Sequence, residues 1–287
     1  MAAIQASHAP RTSSTPRFFQ HYPPKEISSL ADASAAGDLD TVRNILQSYI
    51  KCQSPEDSRL QEFWPVLLTA LSYDRAEIVS YLLDAGIPLS SLHIQQAVRT
   101  KSADIFEVFL RHGWDINAPF SETQPSALAF IVEDWELTNW FLDHGADPNA
   151  ACRLDLTPMS FAIQTAPLRT IHLLFDRGGD IGKGQLIHHA VERNDGYAVE
   201  VIQLLLQKGA VLNARMYENH PPSWNLQFFK GLGTALHRAA ELGKSDVVSF
   251  LLQQGADISV RDSKGRTALD CARRYNRTNV VMILESS

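Results

Sequence analysis

The phrase TALHRAAELGKSDVVSFLLQQGADI begins at Thr234, and a shortened version of it, TALDCARRYNRTNVVMIL, begins 33 residues later at Thr267. Going backwards, the same order of small, apolar and glycine positions recurs. QLIHHAVERNDGYAVEVIQLLLQKGAVLN starts at Gln185, TPMSFAIQTAPLRTIHLLFDRGGDI at Thr157 and SALAFIVEDWELTNWFLDHGADPN at Ser126. Weaker copies are IQQAVRTKSADIFEVFLRHGWDIN, VLLTALSYDRAEIVSYLLDAG and, furthest upstream, LADASAAGDLDTVRNIL at Leu30. That makes about eight units. Self-similarity at a period in the thirties constrains the fold more than any composition value, because each unit must be one short supersecondary element.

The chemistry of one unit sets its shape. Leu236, Ala239 and Ala240 share a face of a short first helix, and the small residues allow close helix approach. Gly243 suits the left-handed position that ends a helix. Val247, Val248, Leu251 and Leu252 fall at helical spacing and bury a second helix. Gly255 ends that helix, and ADISVRDSKGR turns out as a loop or short hairpin. Thr234 is placed to cap the first helix. One such unit cannot bury its own faces, whereas a stack can. Among the end units, Asp32, Ser34, Asp38 and Asp40 give the first a polar, capping character.

The pattern of a TPLH-like start, an Ala-Ala pair, a glycine turn, an apolar second helix and G-A-D-x-N resembles the ankyrin-repeat family. The resemblance runs from about Glu26 to Leu284. It implies an all-α solenoid of about eight helix-turn-helix units with short hairpin or loop fingers, over residues 26–287. It also implies a non-catalytic scaffold whose curved inner face binds a protein or peptide. Residues 1–25 carry Pro, Ser and Thr, no acid, and Arg11, Arg17 and Lys25, which reads as a disordered tail.

Composition excludes other classes. The net charge is -6, which argues against nucleic acid as a main partner and for a neutral or basic protein. No apolar run reaches the roughly 20 residues that span a bilayer. Cys52, Cys152 and Cys271 are an odd, dispersed set and read as reduced thiols of an intracellular protein, cytoplasmic or nuclear. HHAVE at His188 is not HExxH, and His188 occupies the histidine position of the repeat, as His237 does, where its ordinary work is hydrogen bonding between units. GGDIGKG at Gly178 lacks P-loop spacing. The expectation is therefore no metal, no cofactor and no catalytic set.

Departures from the pattern are where function has room. Thirty residues separate Gly209 from Ala239, against 17 between Gly145 and Ala162, a surplus of about 13. This insertion, about residues 214–232, carries Tyr217, Trp224, Phe228 and Phe229, which must pack on the stack, on a ligand or on a partner. Trp224 and one of the two phenylalanines are expected to be at least half-buried. The fingers after the second and fifth units are truncated. In the family pattern, the residue between histidine and the alanine pair faces the inner surface. It is Asp32, Thr69, Gln96, Phe130, Phe161, His189, Arg238 and Cys271 in turn, with Glu133, Gln164, Glu192 and Arg193 beside the middle of the column. The expected partner site is Phe130, Phe161, His189, Glu192, Arg193, Trp224, Phe228 and Arg238. The competing reading makes the phenylalanines extra core under the insertion. A rival function is a small-molecule binder or enzyme with the insertion as lid over an enclosed, mostly apolar cavity. Trp140 is expected in the core, and Trp114 near Phe120 at a finger base.

Overall fold

The computed structural model describes residues 25–52 and 59–287. The tail read at residues 1–25 lies, except for Lys25, outside the described residues. From there the chain is a two-layer stack of helix pairs, with no strand among the described residues and one isolated bridge between Ser121 and Gln124.

The first unit pairs α1 (Glu26–Ala36) with α2 (Leu39–Lys51). The second has a 3-10 turn (Leu60–Phe63), then α3 (Trp64–Ser72) and α4 (Ala76–Asp84). The third is α5 (Ser91–Thr100) and α6 (Ala103–Arg111). The fourth has only a 3-10 turn (Ala127–Phe130) as its first helix, followed by α7 (Trp135–Asp143). The fifth is α8 (Pro158–Thr165) and α9 (Leu168–Asp176), and the sixth α10 (Leu186–Val191) and α11 (Ala198–Gln207). The insertion contributes α12 (Pro221–Gln227) and a 3-10 turn (Phe228–Lys230). Units seven and eight are α13 (Ala235–Leu242) with α14 (Ser245–Gln253), and α15 (Ala268–Arg274) with α16 (Thr278–Glu285). First helices pack on first helices and second on second along the chain.

The expected eight units are therefore present, with one difference. The fourth first helix does not reach a full α turn. Ile131 and Val132, both β-branched and buried, follow Phe130 directly. Asp134 then accepts from Leu137 N to cap α7, and Thr138 Oγ1 donates to Ile131 O, so the chain has already turned into the second helix.

Contacts between units are made by side chains reaching backbone about one repeat away. His93 bridges Ser90 on its own unit and Trp64 O on the one before. His237 does the same between Thr234 and Arg266 O on the next. Thr100 Oγ1 donates to Leu71 O, Arg75 to Ala35 O and Arg277 to Glu241 O, each meeting a carbonyl at the end of a neighbouring first helix. The fingers have their own ladder. Asn117 donates to Gly145 O and accepts from Asp147 N, while Asn149 repeats this with Gly178 O and Asp180 N. That is the physical content of G-A-D-x-N.

One reading needs correction. Ser34, taken as part of a polar cap, is buried. Asp38 does serve the first unit's surface, accepting from Thr41 N at the start of α2. Trp114 lines one cavity with Phe120 at the finger base, as expected, and also reaches inward. Its ring stacks on Phe106 at 5.8 Å and meets Phe109 and Phe141 edge-on, because an aromatic at the alanine position of HGAD reaches back into the second-helix core. Trp140 joins the same cluster through Phe106 and Phe141, though it is half-buried at the edge of the core and not enclosed by it as expected.

Leu205 on α11 is fully buried. Leu205→Ala is expected to cost about 2–5 kcal/mol in urea unfolding. In a stack, that weakness at unit six should appear as a second transition separating the two ends. A loss below about 1 kcal/mol would contradict its placement.

Candidate interaction surface

The aligned column of the first-helix layer changes character along the stack. Asp32 is exposed, and Thr69 and Gln96 are half-buried. Phe130 and Phe161 are also half-buried, with ring centroids 5.2 Å apart. Phe120, from the preceding finger, stacks on the other side of Phe130 at 5.2 Å and 24°. The phenylalanines thus form a ladder of three rings, one of them from a finger, partly open to solvent. Phe161 also packs on the core beneath.

Past Phe161 the column closes. His189 is buried, and neither of its ring nitrogens has a hydrogen bond. Burial holds its pKa below the ordinary value against the pull of Glu192 and Asp155. Cys271 is buried as well, and burial pushes its thiol up to about 11. The expected role of His189 as a contact residue needs correction, since its imidazole lies under neighbouring side chains. Arg193 is corrected too. Its guanidinium donates to Ile163 O at 2.7 Å and Ala166 O at 2.9 Å, closing the end of α8, and it also pairs with Asp195. Its side chain is 1% exposed, so it is a strut between units five and six.

Glu192 and Arg238 do reach the surface, but as partners of each other. Glu192 Oε1 accepts from Arg238 Nε at 2.9 Å, and Oε2 from Gln164 Nε2 at 3.2 Å. Arg238 continues to Glu241 at 3.3 Å, and Arg266 lies 3.7 Å from Glu241 and 2.6 Å from Asp262. This relay ties units five to eight together. Half-exposed pairs of this kind give order and specificity more than stability.

The insertion is seated on the last three units by hydrogen bonds in register with the repeat. Asp155, Gln185 and Tyr217 all have left-handed backbone, with φ of 54°, 55° and 60°. Gln185 Nε2 donates to Asp155 Oδ2 at 2.7 Å, and Tyr217 N donates to Gln185 Oε1 at 2.8 Å. Three non-glycine residues in this region are a local strain that the ladder holds in place. Tyr217 is buried, its phenol pushed up to about 12 by burial and hydrogen-bonded to the Gln227 side chain. Met216 N donates to Gly233 O, and Ser263 Oγ donates to Phe228 O while accepting from Leu232 N. Arg215 lies over the Trp224 ring at 5.5 Å. Between the insertion and the first helices is a cavity of ≈310 Å³, lined among others by His188, Glu192, Lys230, Arg238 and Glu241.

The burial expected of the insertion's aromatics is met only in part. Tyr217 is the buried anchor and Trp224 is half-buried, but Phe228 and Phe229 are 51% and 56% exposed. The α12 turn is too short to fold both rings back, and its inner side is already filled by Ser223, Gln227 and Tyr217. Asp155, Gln185 and Ser263 escape a reading based on aromatics. Their signal is positional, since each lies about 30 residues from the group it holds.

His188 differs from His93 and His237. It is buried with the backbone of Gly233, Ala214 and Gln185 around it, yet neither ring nitrogen makes a hydrogen bond of normal geometry. Burial first, then the adjacent His189, lowers its pKa from 6.5 to about 4. Among the described residues, no three His, Cys, Asp or Glu side chains form a group able to hold a metal ion.

Comparison with known proteins agrees with the repeat geometry. A family model for ankyrin repeats, in three copies, matches residues 187–286. Over 125 residues, the chain is 34% identical to the mouse B-cell lymphoma 3 protein homolog, covering 41% of this chain and 24% of that protein. It is 25% identical over 175 residues to the putative ankyrin repeat protein FPV034 of fowlpox virus, covering 60% and 38%. It is 29% identical over 100 residues to mouse protein phosphatase 1 regulatory subunit 12A, covering 35% and 10%. The chain thus spans well under half the length of these relatives. No helix among the described residues is long and apolar enough to cross a membrane.

Two stability tests follow from the buried polar groups. Arg193→Met leaves carbonyls at the end of α8 without donors and should cost about 1–3 kcal/mol in urea unfolding. An unchanged midpoint would show that the strut is dispensable. His188 has a depressed folded pKa, so the unfolded chain binds its proton first. Stability should therefore be full above about pH 6.5 and fall as pH drops toward 4, by up to about 3 kcal/mol from this residue. Unfolding midpoints at pH 7.5, 6 and 5 should show that decline, and His188→Leu should make it shallower, with the remainder due to the other depressed histidines, His93, His189 and His237. An equal slope in the variant would contradict the buried, neutral state.

Proposed function

This chain belongs to the ankyrin-repeat family, and on that premise we propose that it is a binding module whose first-helix layer, concave in such stacks, holds a protein or peptide partner between Phe130 and Arg238. Repeats of this family are generally protein-protein interaction modules. One relative is named as a regulatory subunit of a phosphatase, which is a role defined by association with another protein.

The observation that carries the reading is the ladder of Phe120, Phe130 and Phe161. It sits mid-stack and half-open, at a column position that is polar or small in the first three units. Aromatic anchors beside a polar rim have the form of a binding hot spot. The rim here is Gln164, Glu192 and Arg238, already hydrogen-bonded to one another, so a partner meets a pre-ordered polar edge. Pre-ordering lowers the entropy cost of association. The cavity beneath the insertion has ion-paired, charged walls, which gives the small-molecule reading no support over this one.

The test is proximity labelling in cells with the intact chain, followed by affinity measurement on the partner it identifies. Phe130→Ala with Phe161→Ala should weaken binding about a hundredfold or more while the helical circular-dichroism spectrum survives. Gln47→Ala, on the exposed side of α2, should change nothing. Normal binding by a destabilised double variant would make the phenylalanines core and move the site to the fingers.

A further inference from the structure

The insertion presents a second surface with its own chemistry. Leu226, Phe228 and Phe229 are all more than half exposed, on consecutive turns of a short element. Phe228 and Phe229 lie edge-on with centroids 6.4 Å apart and have no other ring neighbour among the described residues. Exposed aromatics on a floppy loop would say little. These are on a fixed base, held by Ser263 to Phe228 O and Leu232, by Tyr217 to Gln185 and Gln227, and by Met216 to Gly233. Gly231, which closes the turn, has φ of 86° and Arg266 beside it, so a larger residue there would be strained and would displace the Arg266 side chain.

The charge around this knob runs against that of the molecule. The chain carries a net charge of -6. Yet Glu218, the insertion's one acid, is paired with Arg215 at 2.6 Å, and Asp262 on the adjoining finger is buried against Arg266 at 2.6 Å. Lys230 follows Phe229 directly, and Lys264 follows the Ser263 clamp. Both lysines are exposed, and neither has a carboxylate partner among the described residues. The result is an apolar knob with a basic rim on an acidic protein.

We infer that the tip of the insertion docks a protein segment that combines an apolar anchor with aspartate or glutamate, rather than the neutral or basic partner that net charge alone suggests. The inference rests on the reading of this chain as a binding module and names the chemistry of one partner contact. Phe228, Phe229 and Leu226 supply the desolvated centre, and Lys230 and Lys264 select the charge and steer approach.

The test is selection of a random peptide-display library on the intact chain. Enriched peptides should pair an aromatic or aliphatic residue with nearby acids and should weaken with rising salt. Phe228→Ala with Phe229→Ala, and separately Lys230→Glu with Lys264→Glu, should each weaken the best peptide about tenfold or more, with thermal melts unchanged. Exchanging the peptide's acids for lysines should restore binding to the charge-reversed variant. Enrichment of basic or neutral peptides, no enrichment at all, or indifference to both variants overturns the inference. So does adsorption of the chain to vesicles containing anionic lipid that is lost with Phe228→Ala and Phe229→Ala while no peptide enriches. The variant with Phe130→Ala and Phe161→Ala is run in parallel. Peptides that depend on that pair and not on the tip leave the inner-face reading standing and remove this one. The opposite pattern does the reverse.

Discussion

Every short helix leaves donors at one end and acceptors at the other without partners, and this molecule has sixteen such helices in its described part. None exceeds 13 residues, so the unsatisfied ends are a large fraction of the backbone. The stack exists because each unit completes its neighbour. Arg75, Thr100, Arg193 and Arg277 come from four different units, yet each reaches a carbonyl at the end of an adjacent first helix. His93 and His237 bind the start of their own helix and the backbone of an adjacent unit at once, the preceding one for His93 and the following one for His237. Apolar burial drives the layers together, but it is non-directional. These hydrogen bonds fix the register at about 30 residues and make each unit depend on the one beside it.

The same device explains how an insertion with four aromatics is tolerated. Tyr217 continues a ladder begun by Asp155 and Gln185, so the added segment is read by the stack as one more finger. Its buried tyrosine and its histidine-capped α12 consume the polar groups that a loop of this length would otherwise leave to water. What remains at the tip is apolar. Burying Phe228 and Phe229 internally would gain roughly 1.5–3 kcal/mol each. The fold forgoes that gain while hydrogen bonds fix the backbone at the base of the tip.

The repeat made the fold legible. Leu236, Ala239 and Ala240 are buried as their spacing requires, and Thr234 with His237 forms the expected start of α13. Much of the site was less legible, for one physical reason. Alignment tells which way a residue points from its own helix, but not what the neighbouring unit has placed there. Arg193 looks like a surface charge until the end of α8 is set beside it, and His189 looks open although it is buried in the stack. Trp114 sits at a finger base as its position suggests, yet its size also brings its ring against the second-helix core. The fourth unit's helix was counted from its alanines, while the β-branched pair after Phe130 and the cap at Asp134 decided its length.

Those errors have a direction. Residues with many donors or a large ring were drawn inward, into the joints between units, and so were removed from the surface. The side chains left outside are those the joints had no use for. Phe130 is such a residue, because its short 3-10 helix holds it at the edge of the layer with Phe120 on one side and Phe161 on the other. Phe228 and Phe229 are others. In a stack where neighbours compete for every polar end, exposure of an aromatic on a well-anchored base is informative because the scaffold had the means to bury it. The half-buried ladder of Phe120, Phe130 and Phe161 and the exposed Phe228–Phe229 pair lie at different heights of the stack and differ in their surroundings. One has an ion-paired, neutral rim and the other an unpaired basic one. A single extended partner that crossed both would therefore need to change its own chemistry along its length, from uncharged beside Phe161 to acidic at the insertion.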